Sequence, residues 1–136
     1  MSAFMDVFDR RAVLKGHDNT GGRADYLAGL QGRLVFAAPK IEAIVTVRYV
    51  PDRYVVTPES FNTYLKTVER LDWDGLEDVA LAIVKDIANE MLTRWTQVNL
   101  KSAHPELTHV AAHDVTVEDR QPGWHNDDLL YRMAPI

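Results

Sequence analysis

The chain's chemically capable side chains are carboxylates and imidazoles. It holds twenty Asp and Glu residues, five histidines and no cysteine. Without cysteine there is no disulfide framework, thiolate zinc site, iron–sulfur cluster or thiol nucleophile. Four of the histidines, His104, His109, His113 and His125, fall in the last third of the chain. His109 and His113 are four apart and would share a face on a strand. Imidazoles are good zinc ligands. This spacing follows no metal-binding pattern, however, and surface imidazoles need no metal. Zinc held by histidines is therefore an alternative to plain exposed side chains.

Two other groups stand at expected helix starts. Thr57 and Pro58 form an N-cap followed by proline at the first helical position. Backbone N–H groups at such an end can bind an anion or a carbonyl, with Glu59 and Ser60 beside them. Glu77 stands three residues after Asp74, the spacing of a capping box. Asp114, Glu118 and Gln97 read as solvent-facing positions. Trp73, Trp95 and Trp124 read as core or interface residues.

At 15.4 kDa the chain fits one domain. Its formal charge is −5, with 46% hydrophobic and 26% charged residues. No basic stripe suggests a nucleic-acid partner. No apolar run approaches the ~18 residues of a membrane span. The first residues, MSAFMDVFDRR, carry two acids and lack the apolar stretch of a secretory signal, so a cytoplasmic setting is expected.

These groups must be positioned by a small set of elements. Residues 1–32 read as an arm: Phe4, Met5, Val7 and Phe8 form one apolar cluster, Val13 and Leu14 another, followed by the turn-rich GHDNTGGR. Such an arm must lie on the domain, lie on a neighbouring subunit, or stay mobile. Residues 33–119 hold the domain. RLVFAAP predicts a strand closed by Pro39. In IEAIVTVRYVP, Ile41, Ala43, Val45, Val47 and Tyr49 share one face of a second strand. Phe61, Tyr64, Leu65, Val68 and Leu71 mark a helix opened by Thr57. Leu76, Val79, Ala80, Ile83, Ile87 and Met91 mark a second helix ending near Thr93. RWTQVNLKS and HVAAHDVTVED predict two further strands around a turn at AHPEL. Residues 120–136 read as an irregular tail. The order ββααββ predicts an α+β fold, an antiparallel four-stranded sheet with two helices on one face.

That order, with the local motifs, resembles the 7-cyano-7-deazaguanine reductases of queuosine biosynthesis, nitrile reductases of the tunnelling fold. The resemblance runs through Tyr49, Pro51 and Asp52, then Ser60, Tyr64 and Leu65. It continues at Glu77–Asp78, which stand where the family has Glu-Asp at a helix start, and at Arg94, Trp95 and Val98. LKGHDNT is faintly similar to a segment near the family's entry. Residues 33 to 100 carry the likeness. It implies a homo-oligomer whose neighbouring copies cover the sheet edges, with sites at subunit interfaces. It also implies that Glu77 grips the N–H edge of a purine-, 7-deazaguanine- or pterin-like ring, as a carboxylate can through two parallel bonds. Leu76, Val56, Thr57 and Pro58 fall on the family's substrate-contacting positions.

The departures are mechanistic. The family's cysteine nucleophile falls at Leu34, its proton-donor aspartate at Ile41 and its histidine at Leu76. Two lysine positions that serve the reduced nicotinamide cofactor are Glu59 and Asn62, which argues against NADPH. Nitrile reduction through a thioimide is therefore not expected. Three functions remain open: binding or transforming such a ring without the cysteine, pterin-type metal-dependent chemistry using histidines, and a non-catalytic oligomeric scaffold.

Overall fold

The β-branched alternation from residue 40 to 50 becomes the longest strand of a four-stranded antiparallel sheet. The computed structural model describes residues 3–37 and 40–135. Pro39 lies outside them, as do the side chains of Phe4 and Met5. The sheet runs in the order β2 (Ala28–Ala37), β3 (Lys40–Val50), β5 (Trp95–Ala103), β6 (His113–Arg120). Ala43, Val45, Val47 and Tyr49 are buried on one face, as the alternation requires. Leu34 joins them from β2, and Val98 and Leu100 from β5.

Helices α2 (Pro58–Glu69) and α3 (Leu76–Met91) close the core. α2 buries Phe61, Tyr64, Leu65 and Val68, and α3 buries Leu76, Val79, Ala80, Ile83 and Ile87. The Thr57 hydroxyl accepts the Ser60 N–H, so the expected cap forms. At α3 it does not: the N-cap is Gly75, with no side-chain cap bond. Asp74 therefore lies one residue outside the cap, and Glu77 sits one position too early for a capping box. α3 closes at Met91, with Leu92 in the left-handed region at φ 53° donating to Ala88 O.

The sheet begins earlier than the sequence suggests. β2 starts at Ala28, whose ladder partner is Tyr49. Gly29 and Gly32 weaken its strand signal. Gly32 is there because α2 crosses closely: a Cβ at this position would lie 2.4 Å from Leu65 Cδ1. A second, two-stranded sheet joins β1 (Gly16–Asp18) to β4 (Tyr54–Val56). Each strand has only three residues, too few for a periodic signal. β6 opens at His113 rather than His109, leaving His109 in the loop.

Helix α1 (Ala3–Ala12) lies on α2 and α3. Arg10 and Arg11 both donate to Asp86 of α3. The tail is not wholly irregular: α4 (Asp127–Tyr131) is capped by Asn126, whose side-chain Oδ1 accepts the Leu129 N–H. Beyond it, Ala134 O accepts from Arg48, which faces away from the core. The helices are thus not all on one face of the sheet. Among the described residues no helix is long and apolar enough to cross a membrane.

Candidate functional site

The first turn of α3 places Glu77 and Asp78 at the positive end of a sixteen-residue helix. Glu77 is exposed. Its Oε2 lies 2.8 Å from His113 Nε2. That bond, and then the residue's own N–H, hold the carboxyl below its ordinary value of 4.5. Its Oε1 turns back over Gly75, 3.3 Å from where a Cβ would stand there.

His113 opens β6 opposite Ser102 in the β5 ladder. Its Nδ1 is 3.2 Å from His104 Nε2, which is also 3.1 Å from Ser102 Oγ. The two ring centroids are 5.3 Å apart with the planes 28° from parallel. A continuous line therefore runs Glu77–His113–His104–Ser102, joining α3 to the loop end of the sheet.

Gly75 also lines a cavity of about 270 Å³, where the α2–α3 connection meets the β2–β3 end of the sheet. Phe36, Ile41, Leu71, Trp73, Leu76 and Val79 supply apolar walls; Glu69, Arg70, Asp72 and Asp74 supply polar ones. Trp73 is fixed at both its polar and its π surface. Its indole N–H donates to Val68 O at 2.8 Å, and the Arg10 guanidinium stands 5.5 Å from the ring centroid. Ile41 and Leu76 are thus apolar walls of one cavity.

The other expected contact residues lie elsewhere. Val56 is a core residue at 3% exposure, and Thr57 is occupied as a cap. Pro58 rims a separate groove of about 410 Å³ between β2 and α2. The length of α2 separates this end from the Glu77 end by roughly 17 Å. Within one chain, Leu76 and Glu77 are neighbours, and Val56, Thr57 and Pro58 are not part of that cluster. Ser60 is committed to the arm: its hydroxyl donates to Lys15 O and accepts the Lys15 N–H. Glu59 is exposed.

The remaining acids and aromatics are bonded more than the sequence suggests. Asp114 accepts from Asn99 at 2.6 Å. Glu118 accepts from the Trp95 indole and from Arg120. Burial pushes Glu118 up, but those two donors outweigh it and leave it lowered. Trp95 is buried and Trp124 half-buried, its indole N–H donating to Asp25. Gln97 Oε1 is buried without a partner.

Ser102 is the site residue that sequence reasoning passed over, and His104 stands in it only as one of four histidines with no assigned partner. No local signal marks them, because their arrangement exists only once β5 and β6 pair. His109 bonds Thr108 instead, and His125 stands exposed in the tail. Among the described residues no group of three or more His, Cys, Asp or Glu converges as a metal-binding set.

No protein-family model matches the chain, and no curated protein matches it. Function must therefore be argued from the site itself.

Proposed function

We propose that this chain is a tunnelling-fold protein that binds a planar purine-, 7-deazaguanine- or pterin-like ring through Glu77, at a junction between neighbouring copies. The observation that carries the reading is the Glu77 carboxylate folded over Gly75, which itself lines a cavity with Trp73, Phe36 and Leu76 in its walls. A flat heteroaromatic ring has faces suited to such walls. A paired N–H edge on it suits a carboxylate. The cavity is near the lower end of the size range for small-molecule pockets, which suits a bicyclic ring.

The junction follows from the separation along α2. Thr57 and Pro58 can approach a ring held by Glu77 only if they come from another copy, while Val56 stays in the core behind them. A covalent thioimide step is excluded by composition, since the chain has no cysteine. The residues present do not fit NADPH either. The exposed positions of α2 that would meet it carry Glu59 and Asn62, and no step is assigned to that cofactor.

Thermal melts of the full chain with guanine, 7-deazaguanine and neopterin test the reading. A ligand at ~100 times its Kd adds about 2.7 kcal/mol of stability. At least one ring should raise the melting temperature, and Glu77→Ala should abolish the rise. No shift with any of them at saturation would reject ring binding. A full shift retained in Glu77→Gln would reject the carboxylate as anchor.

A further inference from the structure

At the loop end of the sheet, two imidazole nitrogens face one another 3.2 Å apart, His104 Nε2 and His113 Nδ1. Two bare lone pairs repel at that separation, so a positive centre must lie between them: a proton or a metal ion. Glu77 settles which nitrogen of His113 is bare. Its carboxylate accepts the Nε2–H, and in the neutral ring that leaves Nδ1 with the lone pair. Ser102 Oγ, 3.1 Å from His104 Nε2, sets an oxygen beside the same point.

The spacing suits a metal as well as a proton. Zinc binds imidazole nitrogen at ~2.0–2.1 Å, and a tetrahedral angle then puts two such nitrogens about 3.3–3.4 Å apart. The observed pair needs to open by only a few tenths of an ångström. We propose that His104 and His113, with the Ser102 hydroxyl beside them, form a site for one zinc-type divalent cation, and that Glu77 orients His113 from behind. A carboxylate bonded to the far nitrogen of a ligating histidine is a common supporting arrangement for zinc. Only two protein nitrogens bind, and His113 is 30% exposed, so water completes the shell.

The site stands independently of ring binding, because zinc uptake is read with no heterocycle present. Calorimetric titration of the full chain with zinc chloride should give one ion per chain, and magnesium chloride no comparable binding. His104→Gln and His113→Gln should each weaken zinc at least tenfold, and Glu77→Gln roughly tenfold. His109→Gln, altering an imidazole of the same loop, should change nothing. Nitrogen-15 spectra of the wild-type rings supply a readout that needs no variant: zinc should move His104 and His113 and leave His17, His109 and His125 in place. Absence of zinc binding would overturn the proposal and leave a proton between the rings. So would an equal loss in His109→Gln, or shifts spread evenly over all five histidines.

Discussion

Asp86 shows what one residue contributes at depth. Its side chain is fully buried, and it accepts from Arg10, Arg11 and the Tyr64 hydroxyl. Burial first, and then the Asp86 charge, push Tyr64 well above its ordinary value, so it stays a donor. Asp86→Ala would leave Arg10 buried without its carboxylate, whereas Arg11 can turn outward. The expected loss is about 3–5 kcal/mol in urea denaturation, with α1 cut earlier by protease. None of this was legible: Asp86 reads as an ordinary helix acid, its arginine partners lie 75 and 76 residues away, and Tyr64 is on another helix. Glu77 differs, because a carboxylate at a helix start is visible in sequence while its partner His113 is not. Its lowered titration has a definite sign. The ionised form contributes stability above the unfolded value near 4.5, and the contribution disappears as pH falls through the lower folded value. Wild type should therefore melt above Glu77→Gln at neutral pH. The gap should close below that window; a gap unchanged at pH 2 would show that the His113 bond is not its source.

Elements were legible where their signal is local. Thr57–Pro58 names the start of α2 because an N-cap is made by the residue itself and its third neighbour. Thr57→Ala should cost about 1 kcal/mol in a denaturant melt, and a negligible loss would mean that the Lys15 contacts hold this end instead. The same logic failed at Asp74. Gly75 adopts the extended cap conformation and moves the helix start one residue along. Strand β3 was readable from period-two alternation. The early half of β2 was not, because Gly32 is chosen for the crossing of Leu65 rather than for strand propensity. β1, β4 and α4 are three, three and five residues long, and nothing periodic can declare itself over so few. The histidine pair belongs to this scale too, since it forms only through the β5–β6 register that sets His113 opposite Ser102.

At the scale of the whole molecule the sheet is unfinished on two sides. β2 and β6 are its outer strands, ten and eight residues long, each with one side not joined to another strand among the described residues. Long open edges invite pairing with another chain. The sheet face turned away from α2 and α3 is polar rather than apolar, with Thr46, Arg48, Gln97 and Asn99 in its middle. Gln97 Oε1 and Asn99 Oδ1 are buried there without partners. Such a face does not form a second dry core, so the edges are the surfaces through which copies would join in the assembly proposed above. Strand parity supplies a selective test. The Val35 N–H donates to Glu69 at 3.1 Å, away from β3, so the Arg33 N–H two residues earlier points to the same open side. Proline at position 33 removes an outward donor while keeping the ladder to β3, as proline is tolerated on an edge strand. Sedimentation velocity should find the wild type as an oligomer and Arg33→Pro as a folded monomer, its fold checked by circular dichroism. A monomeric wild type would reject the assembly. An oligomer unchanged by folded Arg33→Pro would place the contact away from β2, and with it the junction at which Thr57 and Pro58 are proposed to meet a neighbour's Glu77.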